Sequence, residues 1–283
     1  MILIIAEKPS LARNIAAALA EDESPRRHDG YLEYGNYLIT WAFGHLFSLA
    51  DVEEYAPNPD GSTRWSMKNI PCFPQTFIFQ LRRDKNKKEV DPGVQKQFEI
   101  IRSLCLRTDV ETIVNAGDSD REGEIIVRLC IQNTGVQGKD LRRLWLPDQT
   151  PQTIREAIGQ MKAESEYDNL ANEGFARTYI DWLYGVNLTR YATLKTGVFL
   201  RVGRVIVPIV KAIYDRDMAI RNFVPETYYA LVSNAQTQGQ KIELVSKQKF
   251  DKDHLQQAQE CCAQYNAAEA IVTDVKTKKD TLQ

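Results

Sequence analysis

Seven residues, Asp118-Ser119-Asp120-Arg121-Glu122-Gly123-Glu124, constrain this chain more than any other stretch. The apolar run Glu111–Gly117 precedes them and the run Ile125–Cys130 follows. The first run reads as a buried strand and the second as an amphipathic helix. Asp118, Asp120 and Glu122, at every second position, therefore fall at a strand-to-helix junction, where open α/β sheets place their ligands. Hard, anionic oxygen donors of this kind suit a hydrated Mg2+ ion better than a softer metal. Capping is the competing explanation: Ser, Asp and Glu before and within a first helical turn also cap a helix and complement its dipole.

A second junction repeats the arrangement. Met1–Ala6 is an apolar strand that ends directly in Glu7-Lys8-Pro9-Ser10, and a helix follows with Leu11, Ile15, Ala18 and Leu19 at helical spacing. Two strand ends that each deliver acids just before a helix suggest one site assembled from distant segments. Lys8 beside Glu7 fits phosphate chemistry, although Glu-Lys pairs are common on solvated surfaces.

At 283 residues, 43% apolar and 26% charged, the chain has the composition of a globular protein with one large domain or two ordinary ones. No apolar stretch reaches the roughly 18–20 residues of a membrane span, and the amino terminus has no signal-peptide pattern; the expected compartment is the cytoplasm. Five cysteines, Cys72, Cys105, Cys130, Cys261 and Cys262, contain no C-x-x-C spacing and support neither a zinc site nor a disulfide framework. The net charge of −2 argues against general nucleic-acid binding. Its distribution says otherwise: eight basic residues lie between Arg177 and Arg221, against Asp181, Asp215 and Asp217. Together with Arg82-Arg83-Asp84-Lys85-Asn86-Lys87-Lys88, they form either a phosphate-binding face or solvated helix surfaces.

The organisation changes twice along the chain. Residues 1–150 alternate strands (1–6, 36–42, 111–117, 141–146) with helices (including 94–106), which predicts a parallel sheet covered by helices. A loop rich in Pro, Asn, Asp and Gly occupies 51–75. Residues 151–224 read as three helices, 152–162, 166–196 and 202–222, with Pro208 kinking the third or marking its start. Tyr179, Trp182, Tyr184 and Tyr191 on the second fit a core stripe better than a base-stacking surface. From 225 to 283 the pattern is strand (227–235), strand (241–249), helix (251–265) and strand (269–276).

These residues together resemble the type IA DNA topoisomerases, most closely the bacterial topoisomerase III group. Ile5-Ala6-Glu7-Lys8-Pro9-Ser10 and Asp118–Glu124 resemble the two acidic motifs of the Toprim fold. Phe43-Gly44-His45-Leu46 resembles the family's short G-H segment, Ala176-Arg177 with Asp181–Arg190 its long helix beside the active site, and Val202-Gly203-Arg204-Val205 with Pro208 the next helix. The resemblance implies an α/β Toprim-type parallel-sheet domain, then a largely helical DNA-binding domain and the start of a β-rich arch domain.

Its implied chemistry is ATP-independent cleavage and resealing of single-stranded DNA through a 5′-phosphotyrosine. Glu7 and Lys8 are then catalytic, Glu7, Asp118, Asp120 and Glu122 hold Mg2+, and Arg177, Arg190, Lys195, Arg201 and Arg204 bind DNA. It also implies a monomer that works with a helicase or a single-strand-binding protein. Two departures stand out. Arg201, Ile206 and Val207 replace the Ser and the Gln-Thr that usually flank V-G-R-V. None of the twelve tyrosines precedes a proline, whereas the family's nucleophile lies in Tyr-Pro-Arg-Thr; the expectation is an amino-terminal fragment that does not cleave DNA alone. A different Toprim enzyme, primase- or nuclease-like, and a non-enzymatic DNA-binding module are the competing readings.

Overall fold

The computed structural model describes residues 1–283 except 22, 85–88, 238, 270–275 and 278–283. The basic cluster beyond Asp84 and most of the strand expected at 269–276 lie outside the described residues. The described chain divides into two compact units, residues 1–209 and 210–283.

The first unit is built on a seven-stranded sheet. Strand β1 (Ile2–Ala6) leads into helix α1 (Pro9–Ala20), then β2 (Arg26–His28), β3 (Tyr31–Tyr34) and β4 (Tyr37–Trp41). After β5 (Phe47–Leu49), α2 (Val52–Tyr55) and β6 (Phe79–Leu81) come α3 (Pro92–Cys105), β7 (Thr112–Ala116), α4 (Arg121–Asn133) and β8 (Asp140–Arg143). Helix α5 (Pro151–Ile158), β9 (Lys162–Ala163) and the long α6 (Asp168–Thr196) complete the unit, and α7 (Ile206–Arg221) begins in it. The sheet order is β2-β3-β4-β1-β7-β8-β9. Only the central four strands are parallel: β1 pairs in parallel with β4 and β7, and β7 with β8. The parallel sheet expected from the alternating pattern is thus present as the central four strands, and β2, β3 and β9 extend it antiparallel. The reason is local. Gly30 and Gly35, both at positive φ, turn the chain tightly enough for β2, β3 and β4 to form a meander without crossover helices.

Each face of the sheet carries its own core. Ile4, Ala6, Ile39 and Val114 pack against Leu11, Ala12 and Ile15 of α1 and Ile154 of α5. Leu3, Ile5, Leu38 and Ile113 pack against Phe98 and Ile101 of α3 and Ile126, Val127 and Cys130 of α4. This alternation, with both faces covered, makes β1 and β7 near-continuous apolar runs that end at the same edge. Helix α6 crosses α4 closely: a Cβ added at Gly174 would lie 2.7 Å from the Arg121 carbonyl oxygen. The segment between β5 and β6, read as a loop, is tied to α6 by Asn187, which accepts from the Cys72 amide at 2.7 Å and donates to its carbonyl at 3.0 Å. Trp182 Nε1 also donates to the Ala50 carbonyl at 3.0 Å. Tyr179 stacks on Phe77 with centroids 4.2 Å apart, and Trp182 meets the same ring edge-on. Tyr184 and Tyr191 of the same expected stripe are exposed. Pro208 falls in the first turn of α7, where its missing N–H costs nothing. None of the helices is long and apolar enough to cross a membrane among the described residues.

The second unit holds an antiparallel hairpin, β10 (Tyr228–Thr237) and β11 (Gln240–Asp251), followed by α8 (Leu255–Ala267). Gly239, at φ +80°, supplies the left-handed residue of its turn.

One buried charge cluster joins the elements of the first unit. Arg143 is completely buried and its Nε lies 2.6 Å from Glu124 Oε2, an ion contact without hydrogen-bond geometry. Its Nη1 donates to the carbonyls of Asn115, Gly117 and Leu144, and its Nη2 to that of Asp118. Glu124 also accepts from Arg128 at 2.9 Å, and Arg128 reaches Asp168 at 2.6 Å. Removing one partner of such a pair leaves a stranded charge at a cost of about 3–5 kcal/mol. Arg143→Met is therefore expected to lower the unfolding free energy by about that much in urea titration, and the double variant Arg143→Met/Glu124→Leu to recover only part of the loss, since the carbonyls that Arg143 served stay without a donor and Arg128 loses one partner. Equal stability of the single variant and the parent would refute this account.

Candidate functional site

The two predicted strand ends do meet. Strands β1 and β7 are neighbours in register, with Ala6 opposite Ala116, so Glu7 and the Gly117–Asp118 turn emerge side by side. Glu7 Oε2 accepts from the Asp118 amide at 3.1 Å, and Lys8 Nζ donates to Asp118 Oδ2 at 2.6 Å. The turn is shaped by two glycines. A Cβ at Gly117 would stand 1.9 Å from the Gly123 carbonyl oxygen, and one at Gly123 only 2.4 Å from the Asp118 nitrogen. The backbone crosses itself so closely that no side chain fits at either position. Gly44, at φ +69°, brings the chain after β4 back to the same edge, where its amide donates to the Glu7 carbonyl at 3.1 Å.

Burial raises the Glu7 carboxyl above its usual range; the Asp118 amide and Lys8 act the other way, while the charges of Asp118 and Asp120 add to the rise. Lys8 is pushed up chiefly by its hydrogen bond to Asp118. Its ammonium group is thereby held at the acidic edge.

The four acids of the motif do four different things. Asp118 pairs with Lys8. Asp120 caps α4, its Oδ1 accepting from the Gly123 amide at 2.8 Å. Glu122, half-exposed, faces His45 Nε2 at 3.6 Å and Arg177 Nε at 3.7 Å. Glu124 is wholly buried in the Arg143 pair. The capping reading of this segment holds for Asp120.

Magnesium takes hard oxygen ligands, keeps several waters, and is commonly held by one or two carboxylates plus substrate phosphates. The donor set at the β1/β7 edge fits that description: Glu7, Asp118 and Asp120 offer only carboxylate oxygens, close enough for the acids to raise Glu7 together. Among the described residues no three acids, histidines or cysteines are gathered into a metal cage. The fit is therefore to a hydrated ion on one or two carboxylates.

The basic residues separate. Arg177 Nε is buried without a hydrogen-bond partner, 3.6 Å from Asp181 and 3.7 Å from Glu122. Arg204 holds Asp181 with two hydrogen bonds, at 2.6 and 3.1 Å, and this lowers the Asp181 carboxyl. A cleft of 380 Å³ lined by His45, Glu122, Thr178, Asp181 and Trp182 adjoins them. Arg201 is exposed and lines a second cleft of 330 Å³ with Trp65 and Phe199. Lys195 sits in the last turn of α6, 5.9 Å over the Tyr191 ring. Arg190 is not on the surface: 4% exposed, it forms a two-pronged ion pair with Glu53 at 2.7 and 2.9 Å and lies over Trp65. Its phosphate-contact reading gives way to a clamp between α6 and α2. The string His45–Glu122–Arg177–Asp181–Arg204 was not legible as a unit; only the i,i+4 spacing of Arg177 and Asp181 hinted at it.

Because Asp120 is a cap, its variants separate folding from ligand binding. Asp120→Ala is expected to cost about 1 kcal/mol of stability in denaturant titration, and Asp120→Asn only a few tenths. Equal losses would remove the capping role.

Comparison with known proteins places this geometry in a lineage. A family model described as Toprim domain matches residues 2–145, and one described as DNA topoisomerase matches residues 165–283. DNA topoisomerase 3 of Staphylococcus epidermidis is 35% identical over 255 residues, 90% of this chain and 33% of that protein. DNA topoisomerase 3 of Bacillus anthracis is 37% identical over 238 residues, 84% of this chain and 30% of that protein. The chain thus spans about a third of the length of the curated relatives it matches. With the acidic edge of β1 and β7 inside the Toprim match and α6 inside the topoisomerase match, the chain belongs to the type IA DNA topoisomerase family.

Proposed function

We propose that this chain supplies the acidic half of a centre that cuts and rejoins single-stranded DNA, dependent on Mg2+ and independent of ATP. The single observation that carries the reading is the convergence of Glu7, Lys8 and Asp118 at one sheet edge. In the reading, a tyrosine from outside these 283 residues gives up its phenolic proton to solvent and attacks a phosphodiester; a phosphorus–oxygen bond forms to it as the bond to the 3′-oxygen breaks. Glu7, whose carboxyl burial and the neighbouring acids push above its usual range, would give a proton to the leaving 3′-oxygen and take it back on resealing. Lys8 offsets charge gathering on the phosphate. Asp118 and Asp120 would hold the magnesium ion, which, when bound, neutralises phosphate charge and fixes the broken end. Glu122 is set apart: with Asp181 it holds the buried Nε of Arg177, and the partly exposed remainder of that guanidinium would face a backbone phosphate. Arg201, Lys195 and Arg204 extend the basic path. The proposed setting is a cytoplasmic monomer that receives single strands from a helicase or a single-strand-binding protein.

Calorimetric titration of magnesium into the chain with a thymidine 12-mer tests the site. The parent is expected to bind the ion, and Asp118→Asn to weaken it by on the order of tenfold, equivalent to about 1.4 kcal/mol. Unchanged affinity in Asp118→Asn removes the metal role. The chain alone is also expected to form no covalent adduct with single-stranded DNA on denaturing gels; metal-dependent nicking without an adduct would instead favour the nuclease-like reading.

A further inference from the structure

A cavity of 340 Å³ lies between α1 and the β2–β3–β4 edge of the sheet, on the face away from α4 and α6. Its walls are apolar where Ala16, Leu32 and Trp41 meet, and its polar groups are Arg13, Arg27 and His28. Sheet register explains why they gather. Leu32 pairs with both Ile39 and Arg27, so the three side chains share one face, and Trp41 lies two residues along from Ile39 on that face. Arg13 overhangs from α1.

The histidine is already committed: His28 Nε2 meets Glu33 at 2.8 Å and its ring stacks on Tyr31. The arginines are not. Arg13 and Arg27 are exposed and have no hydrogen-bond or ion-pair partner among the described residues. Two uncommitted guanidinium groups over an apolar wall containing an indole make a site for a phosphate joined to a flat ring. The volume suits one such unit.

Position supplies the occupant. Trp41 is paired in register with Ala6, the residue before Glu7. Arg13 is five residues into the helix that Lys8 opens, about 7 Å along its axis, within reach of the next part of a strand held at that edge. We propose that this cavity binds one nucleotide of the same single DNA strand, beyond the candidate centre and on the opposite side from α6, with Arg13 and Arg27 on its phosphates and its base against Trp41. The inference rests on the proposed function above and adds a strand path across the α1 face.

Salt dependence of binding tests it. The chain is titrated into a fluorescent thymidine 16-mer at several sodium chloride concentrations, with Arg13→Ala, Arg27→Ala and, as a charge-matched control on α3, Arg102→Ala. Each cavity variant is expected to lower the slope of log affinity against log salt by about 0.7, the value for one lost phosphate contact on a single strand. Arg102→Ala should leave it unchanged. Thermal unfolding checks that folding is unaffected, as expected for exposed side chains without partners. A parent that binds while both cavity variants keep its slope and affinity overturns this site and leaves the proposed function standing. An equal drop with Arg102→Ala also overturns it, by assigning the effect to net charge. A parent that does not bind the 16-mer overturns the proposed function and this inference with it.

Discussion

The buried guanidinium of Arg143 holds together everything that matters at the β1/β7 edge. It arises from β8, pairs with Glu124 in the first turns of α4, and donates to the carbonyls of Asn115, Gly117 and Asp118 where β7 ends. A buried ion pair seldom adds net stability over an apolar replacement. Its contribution is placement. The peptide that carries Asp118 is fastened by the interior of the protein, so the acid beside Lys8 is set by the core rather than by a surface loop. Arg128 and Asp168 continue the network to the start of α6, which couples the long helix to the same anchor.

That anchoring explains how one short segment contains acids with such different environments. Spacing of two would align side chains on a strand, but the chain leaves β7, crosses itself at Gly117 and Gly123 and enters α4 within a few residues. The change of period from 2 to 3.6 redistributes the acids. Asp118 is delivered to the edge and Asp120 to the helix cap. Glu122 goes to the α6 side, and Glu124 to the interior.

What could be read from the sequence follows burial. β1 and β7 were legible as short continuous apolar runs, and α3, α4 and α6 as longer segments with apolar residues at helical spacing. Strands β2, β5, β6, β8 and β9 are two to four residues long and partly exposed. Arg26-Arg27-His28 and Asp140–Arg143 carry no apolar run, so β2 escaped notice and β8 was read only as part of a longer strand. They form because neighbouring strands accept them. That the acids at the two strand ends meet was legible, since both strands end before a helix. Arg190 was misread for a complementary reason: its partner Glu53 is 137 positions away, and local charge counting sees eight cations but not the distant carboxylate that takes one out of play.

Strand β2 has a further consequence, for association between molecules. It is the outermost strand of the sheet, and an open sheet edge presents unpaired amides and carbonyls to which another chain can add. Here that edge is only three residues long and consists of two arginines and a histidine. A second copy docking there would bring guanidinium groups against guanidinium groups. The short cationic strand therefore makes β-sheet polymerisation unfavourable on this side, at the same edge where Arg27 has no side-chain partner among the described residues.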